Sequence, residues 1–150
     1  MTRISNDTEF RKALDALDPA RQRHVAARFV ENVLALCSDE RIARVLQVAG
    51  NSEASEDELA EALKTARATT FDCHTRCGSE GDWSEQAGYF VARAATAALT
   101  PIGQMPSGPA WQAALGSRMA QTSQSIVSGD DIAGQEADQQ YGILSEFLNP

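Results

Sequence analysis

The stretch "SEDELAEALKTARATTFDCHTRCG", residues 55–78, decides the fold because it carries the marks of one long helix. Ser55 and Glu58 match a capping box, in which each side chain bonds the other residue's free backbone N–H. Acidic residues fill the first turn, and Gly78 can adopt the left-handed conformation that ends a helix. Small and apolar residues recur in steps of four and three: Leu59, Leu63, Ala66, Thr70, Cys73 and Cys77. The stretch therefore predicts an amphipathic helix with one buried stripe.

Helical patterns also cover the chain on both sides of that stretch. They predict helices in residues 5–17, 18–37, 38–51, 82–101, 109–129 and 130–150. Asp18 followed by Pro19 is a strong helix start, since proline lacks the N–H that would be unpaired there. No segment alternates apolar and polar residues for long enough to form a strand. The sequence therefore predicts an all-α fold, either a single-domain helical bundle or a short helical solenoid of about six to seven helices.

One segment interrupts this series of helices. The chain has 150 residues, which suggests one helical domain spanning residues 1–150. In "PIGQMPSGP", residues 101–109, five of nine residues are proline or glycine. This linker separates a predicted helical body, residues 1–100, from a predicted C-terminal helical pair, residues 110–150.

The charge is acidic and unevenly distributed. The formal net charge is −8, and residues 78–150 hold only Arg93 and Arg118 against eight acidic residues. A surface of that sign repels phosphate, so we expect no nucleic-acid partner. It suits a basic protein partner, although net charge also serves solubility alone.

The cysteine count and the hydropathy indicate a cytoplasmic protein. Three cysteines, an odd and low number, argue against a secreted disulfide framework. The opening "MTRISNDTEF" lacks the apolar core of a signal peptide. No segment approaches the ~18–20 apolar residues that span a membrane, so we expect no membrane association.

Reactive side chains are crowded together only in "FDCHTRCGSEGDW", residues 71–83. Cys73 and Cys77 continue the apolar stripe of the long helix, so both are predicted to pack in the core as small hydrophobic residues. The alternative is a zinc or iron site at Cys73, His74 and Cys77. Its spacing is C-x3-C on a helix, whereas structural zinc sites usually use C-x2-C. The remaining ligands would come from Cys37, His24, Glu80, Asp82 or Glu85. On the core interpretation no cofactor is expected.

A redox pair is a third interpretation of the two cysteines. Side chains one turn apart on a helix are nearly parallel, so a disulfide between Cys73 and Cys77 requires the last turn to unwind. Asp72 and Arg76, four residues apart, are expected to form a helix-supporting ion pair.

Several polar residues are candidates for binding a partner. Asp72, Glu80, Asp82 and Trp83 crowd the junction after the long helix, where Trp83 can also serve as packing. In the next helix a polar strip recurs at helical spacing: Gln86, Tyr89, Arg93, Thr96 and Thr100. Arg93 and Arg118 could each line a cleft or bind an acidic partner group, or simply form local ion pairs. No phosphate-binding glycine loop, H-E-x-x-H or G-x-S-x-G motif is present, so no catalytic residue is predicted and an enzyme is disfavoured.

Four segments within residues 25–99 resemble a group of bacterial all-helical proteins, some of them labelled immunity proteins of polymorphic toxin systems. The segments are "RFVENVLAL", "DERIARVLQVA", "ELAEALKTARA" and "AGYFVARAATAAL", in about half of the chain. The resemblance implies a helical bundle with a binding task and no catalytic residues. We therefore expect an immunity-like or regulatory binding protein whose partner is another protein or a second copy of itself. The alternative is a metal- or thiol-dependent activity at Asp72, Cys73, His74 and Cys77.

Overall fold

The computed structural model describes residues 3–77, 83–105, 107–129 and 133–149. This part of the chain contains seven α-helices and no strand, which confirms the predicted all-α bundle. The helices are α1 (Asp7–Asp15), α2 (Pro19–Glu31), α3 (Glu40–Ala49), α4 (Glu56–Cys77), α5 (Trp83–Leu99), α6 (Pro109–Ser128) and α7 (Ala133–Leu148). No helix in these ranges combines the length and the apolar character needed to cross a bilayer.

The helix starts follow the capping residues that the sequence offers. The Asp18 carboxylate accepts a hydrogen bond from the backbone N–H of Arg21 at 2.9 Å, directly before α2. At the start of α4, Ser55 and Glu58 form the predicted capping box, with both hydrogen bonds at 3.1 Å. These side chains satisfy N–H groups that have no partner within the helix.

The predicted helix over residues 18–37 is wrong in its last six residues, 32–37. It ends at Glu31, and a 3-10 turn, Leu34–Leu36, follows. The side-chain amide of Asn32 donates to the Glu136 carboxylate of α7 at 3.0 and 3.2 Å, so tertiary contacts hold the chain where the helix stops. The turn then carries Leu36 and Cys37 onto α5, where a Cβ added at Gly88 would lie 3.5 Å from the Leu36 carbonyl oxygen.

Helix α5 lies at the centre of the bundle. Its buried residues are mostly small: Ala87, Gly88, Phe90, Val91, Ala92, Ala94, Ala95, Ala97, Ala98 and Leu99. The largest helix contact in the described chain is between α5 and α6, followed by that between α4 and α5. At the α5–α6 crossing, a Cβ added at Gly116 would lie 2.9 Å from the Ala94 Cβ. Small side chains therefore let α4 and α6 lie close to α5 on either side.

The C-terminal helices share the core of the preceding helices. Helix α6 packs on α2 and α5 more extensively than on α7. Leu144 of α7 is fully buried in the same apolar cluster as Phe10 of α1 and Phe29 of α2. Close to these contacts, the Ser145 hydroxyl accepts from the Ile4 backbone N–H at 3.3 Å. The linker, residues 101–109, thus connects helices that pack on one core.

Candidate functional site

The crowded stretch after residue 70 does not converge on one site. Cys73 points inward and is 4% exposed, which confirms that it packs in the core. Asp72 and His74 are both exposed, and the His74 ring lies 5.3 Å from the Tyr89 ring of α5. The side chain of Cys77 and the candidates Glu80 and Asp82 lie outside the described residues. The described members of the predicted metal site therefore point in different directions.

Asp72 pairs with an arginine of α3. Arg41 donates from Nε and Nη2 to the Asp39 carboxylate at 3.0 and 2.8 Å, and from Nη2 to Asp72 at 2.9 Å. Hydrogen bonds to the two carboxylates raise the pKa of Arg41 further above its ordinary value. The predicted partner of Asp72, Arg76, has a side chain outside the described part. Asp72 therefore links the start of α3 to the end of α4 through Arg41.

Two cysteines that are far apart in sequence line one small pocket. We call it the thiol pocket; its volume is about 240 Å³, and its lining includes Cys37, Asp39, Cys73, Ser84, Glu85 and Gly88. Cys73 comes from α4, whereas Cys37 follows the 3-10 turn that the sequence did not predict. In the described chain no three His, Cys, Asp or Glu side chains form a metal-binding group. His24 does not line this pocket, and burial lowers its pKa.

Arg118 lies inside a polar network that joins α1, α6 and α7. Its Nη1 and Nη2 donate to the Asp7 carboxylate at 3.0 and 2.8 Å, and its Nε donates to the side-chain oxygen Oε1 of Gln140 at 2.8 Å. The guanidinium lies 5.4–5.9 Å from three ring centroids, those of Phe10, Trp111 and Tyr141. With a side chain only 17% exposed, Arg118 is fully used within the fold rather than presented to a partner.

The network shifts the ionisation of the acids within it. The hydrogen bond from Arg118 holds the pKa of Asp7 below its usual value. Burial raises the pKa of Glu136, although the amides of Asn32, Gln121 and Gln140 donate to its carboxylate. Glu136 was not among the site residues predicted from the sequence. Its spacing of four residues from Gln140 places both on one face of α7 and could have suggested a shared environment.

A groove runs along the outer side of α5, and its lining differs from both the thiol pocket and the Arg118 network. The predicted polar strip is confirmed there: Gln86, Tyr89, Thr96 and Thr100 are half-buried and Arg93 is exposed. On one side, the Thr70 and Thr96 hydroxyl oxygens lie 3.0 Å apart and hold α4 against the strip. On the other side, α6 completes a cavity of about 370 Å³. This outer groove is lined by Phe90, Arg93, Thr96, Ala97, Thr100, Met105, Gln112, Leu115, Gly116 and Met119.

Arg93 is the charged group of the outer groove and is unpaired. It forms no hydrogen bond or ion pair within the part of the chain that the structure describes. Among the described residues, no carboxylate lines the groove. The outer groove is therefore locally positive on a chain whose net charge is −8.

Large apolar side chains are exposed at the groove and beyond it. Met119 of the groove wall is 46% exposed, and Ile126, seven residues further along α6, is 52% exposed. Phe71 on α4 is 70% exposed, and the candidate Trp83 at the start of α5 is 45% exposed. Trp83 is thus only partly used for packing. Exposed apolar side chains next to an unpaired cation are typical of a surface that another molecule covers.

No protein-family model, curated protein or solved structure matches this chain. The resemblance to immunity proteins therefore stays a prediction.

Proposed function

We propose that this protein is a helical binding protein, with an immunity-like or regulatory task, whose partner docks in the outer groove. The observation that carries the proposal is the unpaired, exposed Arg93 between apolar walls that include Leu115 and Met119. Leaving these apolar groups in water is unfavourable, by about 25 cal/mol for each Å² that a partner could cover. An arginine surrounded by apolar side chains is also a residue type enriched in interface hot spots.

Site-specific photo-crosslinking tests this proposal. Met119 is replaced by p-benzoyl-L-phenylalanine in cells that make the protein, and adducts are identified by mass spectrometry. The matched control carries the same amino acid at Glu53, which is exposed in the loop between α3 and α4. We expect an adduct from position 119 and none of the same mass from position 53. The identified protein must then bind the purified chain and lose affinity for a Met119→Glu variant. Equal labelling at both positions would contradict a docking site in the groove.

A second candidate is a metal- or thiol-dependent activity, and the thiol pocket favours it. Cys37 was one of the predicted further ligands, and it lines the same pocket as Cys73 and Glu85. Thiolates are ligands that zinc and iron both accept, so the two cysteines would supply two of the ligands. Native mass spectrometry with elemental analysis tests this candidate. One bound zinc or iron ion that is lost in both Cys37→Ala and Cys73→Ala variants supports it. A metal-free mass with three free thiols would contradict the metal-dependent form.

A further inference from the structure

We infer that the outer groove binds an amphipathic helix of a partner protein, and that a carboxylate on its apolar face pairs with Arg93. This inference rests on the proposed function and specifies the partner's chemistry. It follows from what the groove offers, which is one unpaired cation and apolar side chains, mounted mainly on the helices α5 and α6.

The backbone of the groove excludes an extended peptide. Apart from Thr100 and Met105, the lining residues belong to α5 and α6, whose N–H and C=O groups are bonded within their own helices. The threonine hydroxyls of the groove are also occupied: Thr96 Oγ1 donates to the Ala92 carbonyl oxygen at 3.0 Å and Thr100 Oγ1 to that of Thr96 at 2.7 Å. A bound strand would therefore lose the hydration of its backbone without replacement. A helix satisfies its own backbone, so helix-in-groove binding remains.

The charge of the groove requires an acidic residue on that helix. Arg93 would be covered by the docked helix, and a covered guanidinium without a partner is costly. A carboxylate at this position gives the guanidinium a planar acceptor that it can bond with two N–H groups. The net charge of the chain is negative and suggested a basic partner. The groove itself is positive, so it favours an acidic residue on the partner.

The apolar contacts set the rest of the partner's pattern. Leu115 and Met119 lie four residues apart on α6 and form a continuous apolar edge. A facing helix needs apolar residues at matching intervals of three and four, next to the carboxylate. From Phe90 to Thr100 the α5 side of the groove is about 15 Å long at 1.5 Å per residue, so three turns of the partner helix cover it.

Peptide selection tests the inference when it is followed by a double-mutant cycle, in which the charges of Arg93 and of the peptide carboxylate are removed singly and together. The probe is a displayed library of about 16-residue amphipathic helices, since shorter isolated helices are marginal. Affinities of the selected peptides are measured by fluorescence anisotropy for wild type, Arg93→Gln and the control Arg44→Gln. Arg44 is exposed on α3 and lines a separate depression between α3 and α4.

We expect selected peptides to carry Asp or Glu within the apolar face and to lose about tenfold affinity for Arg93→Gln but not for Arg44→Gln. Replacing the peptide carboxylate by its amide should cost wild type the same factor and cost Arg93→Gln nothing further. Additive losses, binders without an essential carboxylate or failure to select a helical binder would overturn the inference. So would a concentration-dependent dimer in analytical ultracentrifugation that Met119→Glu abolishes, because the occupant would then be a second copy.

The two proposals fail in different ways. If crosslinking at position 119 identifies a partner that docks through an extended or basic segment, the binding function holds and the helix inference fails. If position 119 labels no more than position 53 and the library yields no groove binder, both fail.

Discussion

At the scale of single residues, Glu136 shows how burial changes the chemistry of one side chain. It is 1% exposed, and among the described residues it is the one fully buried acid. Its pKa is raised in the fold, so the folded state binds more protons than the unfolded state around that pKa. Glu136 therefore supports folding most below its ordinary pKa of 4.5, and this support is lost as the pH rises through the raised value.

Glu136→Gln is expected to stabilise the protein near neutral pH by about 1 kcal/mol, because an amide avoids burial of a charge. The Gln121 carbonyl oxygen is buried without a partner, and a flipped Gln121 amide could accept from the new side chain. Chemical denaturation at a series of pH values measures the effect. The gain should shrink as the pH falls through the raised pKa of Glu136 towards 4.5, because the buried carboxyl then takes up a proton and becomes neutral.

The control is Asp138→Asn on the exposed face of α7. This variant should change stability little at any of these pH values. A Glu136→Gln variant whose advantage persisted unchanged in acid would show that burial of the charge is not the cause.

Individual residues were predictable where their partners are close in sequence. The capping box of Ser55 and Glu58 and the burial of Cys73 follow from periodicity within one helix. For Arg118 the sequence left an ion pair and a partner site both open, and its ion-pair partner Asp7 could not be identified because it is 111 residues away. The pairing of Asp72 with Arg41 spans 31 residues and was missed for the same reason.

At the scale of elements, the α5–α6 contact depends on one glycine. A Cβ at Gly116 would lie 2.9 Å from the Ala94 Cβ and 3.2 Å from its Cα, and backbone cannot move aside as a flexible side chain can. Gly116→Ala should therefore destabilise the protein, because overpacking costs about 1–3 kcal/mol and outweighs the helix propensity of about 0.5–1 kcal/mol that alanine adds. Urea unfolding monitored by circular dichroism measures the change.

Gly142→Ala in α7 is the matched control for that substitution. Nothing lies within 4 Å of a Cβ placed there, so alanine should stabilise the protein by about 0.5–1 kcal/mol. If both variants shifted the free energy of unfolding in the same direction, the close approach of α5 and α6 at Gly116 would not be the cause of the Gly116→Ala effect.

Most helices were predictable from capping residues and periodicity, but the end of α2 was not. The segment after Glu31 has helical spacing, yet Asn32 bonds to Glu136 across 104 residues and the chain turns. The thiol pocket depends on this turn because Cys37 reaches α5 only through it. The polar strip of the outer groove was predictable from spacing in α5, whereas its position between α4 and α6 required the tertiary structure.

At the scale of the whole molecule, the shared core bears on the predicted division at residues 101–109. Helix α6 packs on α2 and α5, so the helices after the linker are not expected to unfold separately. In a Trp83→Phe variant, Trp111 of α6 alone reports on the C-terminal part. Its fluorescence transition in urea should coincide with the circular dichroism transition of all the helices. An earlier Trp111 transition would indicate that the segment after the linker forms a separate folding unit.

The small side chains of α5 have a consequence for how the molecule moves. Six of its buried residues are alanines, which have no rotatable side-chain torsion that could absorb a disturbance. A partner that bound at Arg93 would therefore be expected to displace α5 as a rigid body rather than to rearrange its side chains. Gly88, five residues earlier on the same helix, lines the thiol pocket. We therefore expect binding in the outer groove to change the shape of the thiol pocket.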